Sequence, residues 1–451
     1  MLKRFRNSII LILRLAVYVA CAGSFFLLFG QVFPFMLVLS RTSVITLITF
    51  TVVYVLMTRV YGGYDIGSRK SKPIVFSLAL SALGADVMAH FFLCIMNVTV
   101  VNGGRFVYEK PLLLLGVYVL QVVLVVALTY FGNGMYFRFH KPQKCLVITR
   151  RGEDSEALVR RVGRFKKQFC IEEIAYIDQE DLLGKIDAYE AIFIYNLVIS
   201  ERTGLIEYCY DRKKDVYYSL ELPDVVALGG TRVMFDDKNM MRITAKGMSF
   251  EQRIVKRLMD IFVAGIGLLI SSPFLLITAI AIKLEDGGPV FFKQKRATYA
   301  GRVFEVLKFR SMKVEGSVNR SVTKDDDRIT KVGRVIRKFR IDELPQLINV
   351  LRSDMSIVGP RPEMMENVNK YTAELPEFSY RLRAKAGLTG YAQIYGRYNT
   401  SPKDKLIMDL TYIAQYSIKM DIKLILRTIL VLLTPEESTE AFEVKKTEED
   451  K

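Results

Sequence analysis

The sequence predicts a membrane α-helical bundle combined with α/β architecture. It has four transmembrane helices, a Rossmann-like α/β domain, and a monotopic C-terminal domain with a re-entrant membrane helix. Three observations predict this. The first third of the chain holds four apolar runs of bilayer length; strand–helix alternation follows from Cys145; and a fifth apolar run carries a Ser-Pro pair at its midpoint, between two basic flanks. The 451 residues suit several domains, and 51% hydrophobic with 25% charged residues describes greasy segments joined to ordinary soluble ones.

The four runs fall at Ile9–Phe29, Val44–Met57 (extendable back to Val32), Ile74–Met96 and Pro111–Phe131, and form a domain over residues 1–135. Each supplies the ~20 residues that a spanning helix needs. Lys and Arg set the orientation. Lys3, Arg4 and Arg6 precede the first run, Arg59, Arg69, Lys70 and Lys72 follow the second, and Arg138, Lys141 and Lys144 follow the fourth. The two intervening loops hold few charges, chiefly Arg41, Arg105, Glu109 and Lys110, so both ends of the bundle face the cytoplasm. Ala20-Cys21-Ala22 resembles a signal-peptide cleavage site, but the apolar run continues through Phe29, and an uncleaved helix is expected. Asp86 and His90 lie one helical turn apart in the third run. An interhelical polar contact is the expected role for this pair, although intramembrane ionisable groups are by default functional candidates.

Residues 140–245 read as the α/β domain. Cys145–Thr149, Ile171–Ile177, Ala191–Tyr195 and Val216–Leu220 are strand-like, and Glu153–Gln168 and Gly204–Arg212 are helical. The first turn carries a single glycine, Gly152, where a dinucleotide site wants G-x-G-x-x-G, so no standard dinucleotide binding is expected. The basic run Arg160, Arg161, Arg164, Lys166 and Lys167 is read as a solvated face.

The fifth apolar run lies in a re-entrant helix over residues 254–283, within a domain of residues 251–434. Ser272 and Pro273 mark its break, because proline removes an i→i−4 hydrogen bond. Arg253, Lys256 and Arg257 precede the run, and Lys283, Lys293 and Lys295 follow it. A full crossing would place one basic flank outside, whereas a segment that dips into one leaflet and returns keeps both flanks in the cytoplasm.

Only two histidines occur, His90 and His140, which all but removes Ser-His-Asp and Cys-His catalysis and His-based zinc sites. Five cysteines without a C-x-x-C pair argue against a disulfide framework. A net charge of +17 suits nucleic acid, anionic lipid or phosphorylated substrates. The cations cluster beside membrane segments and carboxylates, so no nucleic acid partner is expected. Lys308 and Arg310 share one face of an extended segment and could hold a diphosphate. Asp342 and Glu343 open an expected helix, with Pro345 in its first turn and Arg337 and Arg340 beside them. Pro360 and Pro362 flank Arg361 and pre-orient it as an anion clamp.

Lys256–Asp260, the Ser-Pro break, Lys308-Phe-Arg-Ser-Met, Ile341-Asp-Glu-Leu-Pro-Gln, Val358-Gly-Pro-Arg-Pro and Lys385-Ala-Gly-Leu-Thr-Gly follow one another in the order of the bacterial sugar transferases. The chain therefore resembles the large monotopic phosphoglycosyl transferases, or polyprenyl glycosylphosphotransferases, of the exopolysaccharide-initiating type. The resemblance covers about residues 251–433. It implies an enzyme of the bacterial inner membrane, with its catalytic domain on the cytoplasmic face, that moves a sugar-1-phosphate from a UDP-sugar to undecaprenyl (polyprenyl) phosphate and releases UMP. Asp342 matches the family nucleophile, which forms a phosphosugar–aspartyl intermediate, and Glu343 matches its partner in the dyad. Mg2+ is implied near Asp342. Lys308, Arg310 and Arg361 match substrate-binding positions, with Arg337 beside them. A homodimer is compatible with the resemblance. The chain departs from the family pattern at Thr298, where the R-x-G-x-x-G loop begun by Arg296 lacks its first glycine, and at Phe339-Arg340, Ala386 and Ala414-Gln415, which bears on sugar recognition. The acidic stretch 435–451 reads as a disordered tail.

Overall fold

The computed structural model describes residues 6–63, 69–97, 106–244, 247–313, 328–396 and 400–433; the expected acidic tail lies outside them. The described chain divides into two compact units that meet between Ser219 and Leu220.

The first unit opens with α1 (Arg6–Val32), α2 (Arg41–Tyr61), α3 (Ser71–Met96) and α4 (Pro111–Phe139). Inside the bundle, Phe25, Phe29, Phe50, Tyr54, Leu78 and Val125 pack together. The outer faces carry exposed Leu11, Leu15, Leu112 and Val123, the inversion expected when lipid rather than water surrounds a helix. These four helices and a fifth, described below, are long and apolar enough to cross a membrane. The chain is thus a membrane protein.

The rest of the unit runs β1 (Gln143–Thr149), α5 (Ser155–Val162), β2 (Phe169–Tyr176), α6 (Leu182–Ala188), β3 (Ala191–Ile194), α7 (Ile199–Asp211) and β4 (Asp215–Tyr218). All pairings are parallel, in the order β2-β1-β3-β4. Leu146 and Ile148 face one apolar layer and Cys145 and Val147 the other, as strand alternation requires. Carboxylates occupy the crevice where such sheets bind phosphates. Asp154 caps α5, accepting from the Ala157 amide at 3.0 Å, and Glu153 accepts from Asn196 Nδ2 at 2.8 Å. The basic run, which begins in the last turn of α5 and continues beyond it, is exposed, as expected of a solvated face.

The domain boundary falls earlier than the sequence predicts. The sheet ends at Tyr218, and the second unit begins with α8 (Leu222–Leu228) and the antiparallel hairpin β5 (Thr231–Phe235) and β6 (Lys238–Arg242). Hydrophobic burial decides this: Val225 is fully buried in a cluster with Phe378, Leu406 and Leu410 rather than against the sheet.

The second unit then runs α9 (Phe250–Asp286), β7 (Phe291–Ala297), β8 (Val303–Phe309), α10 (Lys331–Lys338), α11 (Gln346–Leu351), β9 (Ser356–Val358), α12 (Met365–Glu374), β10 (Gly387–Thr389), α13 (Tyr391–Tyr395), α14 (Pro402–Ala414) and α15 (Ile418–Leu433). β7 pairs antiparallel with β8, and β9 parallel with β10. Val306, Leu347, Val350, Met355, Ile357 and Val358 form the main core of this unit.

The expected break at Ser272 and Pro273 is corrected by the structure, in which α9 is helical through Pro273 over 37 residues. The proline leaves the Leu269 carbonyl without its helical donor, and the Ser272 hydroxyl donates to that carbonyl at 2.8 Å. Both ends of α9 nevertheless join the same body. Near its start, Lys256 donates to Asp421 and to the Val358 carbonyl, and Arg257 caps the Val350 and Leu351 carbonyls. Near its end, Ile282 packs on Phe309 and Ile336, and Asp286 pairs with Arg310.

Candidate active site

The site forms where β8, the turn before α11 and the loop after β9 converge. On β8, Phe304, Val306, Leu307 and Phe309 are buried and Lys308 is partly exposed. Asn349, buried in α11, locks this strand: its Oδ1 accepts from the Leu307 amide at 2.9 Å and its Nδ2 donates to the Glu305 carbonyl at 2.9 Å. The same helix follows Asp342 and Glu343, so Asn349 sets Lys308 against the carboxylate pair. Its signal in the sequence was a polar side chain on the apolar stripe of a short helix, which sequence reasoning passed over.

Asp342 and Glu343 do not begin the α-helix, as the sequence led us to expect. They lie in a 3-10 turn, Ile341–Glu343, and α11 starts only after Pro345. Arg340 enters this turn with φ 54°, in the left-handed region that a non-glycine residue adopts at a cost of roughly 1 kcal/mol or more. Such strain persists only where surrounding contacts enforce it.

The loop carrying Arg361 is anchored from below. Asp260 of α9 accepts from the Ile357 amide and the Ser356 hydroxyl, both at 2.9 Å. Lys256 donates to Asp421 at 2.7 Å and to the Val358 carbonyl at 3.0 Å, and the Tyr412 hydroxyl donates to Asp421 at 2.8 Å. A Cβ on Gly359 would stand 2.2 Å from the Lys385 carbonyl oxygen, so only glycine lets β9 and β10 approach this closely. Arg381, itself buried, donates to the Arg361 carbonyl at 2.8 Å and pairs with Asp409 at 2.7 Å.

At the centre, Lys308 Nζ donates to Glu343 at 2.9 Å, and Arg361 lies 3.6 Å from the same carboxylate. Burial pushes the Glu343 carboxyl up, but Lys308, Arg361 and Arg340 outweigh it and hold it at about 2. Asp342 moves the other way: burial and the neighbouring Glu343 raise it above the ordinary carboxylate range, against Lys308 and Arg337. No side chain among the described residues hydrogen-bonds or ion-pairs its carboxylate. The pair is thus divided into a fixed anion clasped by cations and an unclasped carboxylate beside it. An unclasped carboxylate among cations suits nucleophilic attack on an anionic phosphate.

The structure brings Asp342, Glu343, Lys308 and Arg361 together. Arg337 stands close enough to act electrostatically on Asp342, while its Nε donates to the Ser311 hydroxyl at 2.8 Å. Arg310 is not in this cluster. β8 ends at Phe309, and the buried Arg310 guanidinium is bound by both oxygens of Asp286 and donates to the Pro289 carbonyl at 2.7 Å. Arg310 in turn holds the Asp286 carboxyl down to about 2. Arg296, another cation that sequence reasoning did not single out, donates to the Pro362 carbonyl at 3.3 Å, beside Arg361. Among the described residues no three His, Cys, Asp or Glu side chains converge as a metal cage. Magnesium is commonly held by one or two carboxylates, substrate phosphates and water, and the unclasped Asp342 fits that mode. Glu343, taken by Lys308 and Arg361, does not.

Residues 251–435 match the model of a family described as bacterial sugar transferase. The chain is 42% identical over 186 residues to a UDP-glucose:undecaprenyl-phosphate glucose-1-phosphate transferase of Caulobacter vibrioides, covering 40% of this chain and 70% of that protein. It is 42% identical over 185 residues to a UDP-N-acetylgalactosamine-undecaprenyl-phosphate N-acetylgalactosaminephosphotransferase of Aeromonas hydrophila, covering 40% of this chain and 44% of that protein. It is 38% identical over 220 residues to a UDP-glucose:undecaprenyl-phosphate glucose-1-phosphate transferase of Escherichia coli, covering 47% of each. The match thus spans under half the length of the latter two relatives.

Proposed function

The chain belongs to the bacterial sugar transferase family, and from that premise we propose that it is a phosphoglycosyl transferase that moves a sugar-1-phosphate from a UDP-sugar to undecaprenyl phosphate. UMP is released, and the product initiates exopolysaccharide, capsule or O-antigen synthesis. The observation that carries this reading is the unclasped Asp342 carboxylate beside the Lys308–Glu343–Arg361 cluster.

In this mechanism an Asp342 carboxylate oxygen attacks the β-phosphorus of the UDP-sugar. The bond from that phosphorus to the bridging oxygen breaks, UMP departs, and a phosphosugar–aspartyl ester remains. A phosphate oxygen of undecaprenyl phosphate then attacks the same phosphorus and releases Asp342. Lys308 and Arg361 offset the charge on the phosphoryl oxygens, and Glu343 keeps both cations in position. Mg2+, held by Asp342 and the diphosphate, would supply further charge neutralisation there. Arg337 extends the cationic surface toward the substrate.

We assign the catalytic unit to the cytoplasmic face of the inner membrane, with α9 re-entrant. Both ends of α9 join one body, and both flanks are basic. A helix that crossed the membrane would carry those ends to opposite sides of ~30 Å of hydrocarbon.

The test is UMP release by the full chain in nanodiscs, with Mg2+, undecaprenyl phosphate and a panel of UDP-sugars. UMP from wild type and none from Asp342→Ala is the expected result. Equal release from both proteins would remove Asp342 from its role, and silence across the panel from folded protein would favour a non-catalytic scaffold.

A further inference from the structure

The hydrogen bonds of the four-helix bundle leave one buried group incompletely satisfied. Asp86 of α3 and Gln121 of α4 are both fully buried. Gln121 Nε2 donates to Asp86 Oδ1 and to the Cys21 carbonyl of α1, each at 3.0 Å. These two bonds use both amide hydrogens of Gln121. Asp86 Oδ2 and Gln121 Oε1, both acceptors, are left without a donor. Among the described residues no Lys or Arg of α1 to α4 is fully buried; Arg14 of α1 has a buried Nε, but no cation hydrogen-bonds or ion-pairs with Asp86, whose side-chain partner is Gln121. One neutral hydrogen bond does not offset the cost of an ionised carboxylate at this depth. A proton on Oδ2 would remove the charge and add the missing donor in one step.

The row of α3 side chains that carries Asp86 differs in its two directions, and the buried hydroxyls of Ser81 and Ser77 lie off that row and donate to carbonyls. In steps of three and four residues, which follow one helix face, α3 continues from Asp86 toward its N-terminus as Ala82, Ala79 and Val75. Toward its C-terminus the same row continues as His90, Cys94 and Asn97. His90 is fully buried, its Nε2 lies 3.6 Å from Cys94 Sγ, and its Nδ1 has no partner. Asn97 donates to Glu109 at 3.0 Å, and the His90 ring packs edge-on against Tyr108. The row is therefore polar from Asp86 to the loop end of the bundle and apolar in the other direction.

We propose that Asp86 is a proton-binding site of the bundle, reached through His90 from the C-terminal end of α3 and sealed toward its N-terminal end by Ala82 and Ala79. Binding adds one proton from water to Asp86 Oδ2, and release returns it; no other bond changes. The titratable groups around the site are Cys21 of α1, Tyr54 of α2, His90 and Cys94 of α3, Tyr118 of α4, and the loop pair Tyr108 and Glu109. None of them is a permanent cation. The site does not depend on the transferase reading.

The experiment uses the full wild-type chain in nanodiscs and dicyclohexylcarbodiimide, which modifies a carboxyl group only in its protonated form. Peptide mapping by mass spectrometry is expected to find an adduct on Asp86. Its yield should fall as pH rises and stay unchanged when sodium or potassium replaces choline. No adduct on folded protein would overturn the proposal. Suppression by sodium at constant pH would overturn it in favour of a monovalent cation. The access route is read by infrared proton–deuterium exchange of the Asp86 acid carbonyl, in wild type and His90→Phe. Exchange is expected to slow about tenfold or more in the variant, as loss of a relay group requires. An unchanged rate in folded variant would remove His90 from the route.

Discussion

Burial alone would push Glu343 above its ordinary range; Lys308, Arg361 and Arg340 reverse this and hold it at about 2. Glu343 therefore contributes stability that is present above the unfolded carboxylate value, ~4.3, and is lost as pH falls toward 2. Asp342 is raised, so its deprotonated, nucleophilic form disappears at a higher pH than for an ordinary aspartate. The acid limb of kcat/KM is expected above the usual carboxylate range. Lys308→Met should move that limb further up and Glu343→Gln should move it down, since Lys308 lowers Asp342 and Glu343 raises it. Steady-state pH profiles check both signs. Lys308→Met should also cut kcat about 10²-fold or more, the usual effect of losing one preorganised charge partner. Asp342, Glu343, Lys308 and Arg361 were legible from residue order, because two carboxylates and a proline-flanked arginine are local patterns. The absence of Arg310 from the cluster was not legible. Strand alternation places Arg310 on the face of Lys308, but the strand stops one residue earlier, and Asp286, 24 positions away, claims the guanidinium.

At the scale of elements, α9 depends on two local devices. Ser272 occupies the carbonyl that Pro273 leaves without a donor, so Ser272→Ala should cost roughly 1 kcal/mol, read as a lower thermal midpoint in detergent. Lys256 and Asp421 are 8% and 0% exposed at the side chain, and this pair ties α9 to β9 and α15. Lys256→Met leaves Asp421 buried without its cation and should cost about 3–5 kcal/mol. Adding Asp421→Asn should recover part of that loss in the same unfolding assay, and no recovery would mean the two residues act independently. The α9 termini were only roughly legible, since an apolar run marks what lipid or core will cover but not where capping begins. Ser249 starts the helix three residues before Gln252, in a reciprocal capping box that lies outside the apolar run.

For the whole molecule, four cysteines are buried and Cys170, on β2, is exposed. It therefore reports topology without an introduced label. A membrane-impermeant maleimide should modify Cys170 in inside-out vesicles and spare it in right-side-out ones; the reverse pattern would invert the assignment of the bundle. The +17 charge acquires a place at this scale. Part of it flanks the membrane helices, and part converges on Glu343.

Neighbouring residues alone were enough to mark the long apolar helices, the parallel sheet and Asp342–Glu343 as a candidate pair. Apolar length, strand alternation and a motif run are each written in neighbouring residues. Only the tertiary structure decided which cations reach that pair, that α8 leaves the sheet for Leu406 and Leu410, and that Asp86 keeps one oxygen unsatisfied. Each of those depends on a partner distant in the chain, selected by burial and by the pairing of charge once the elements have packed.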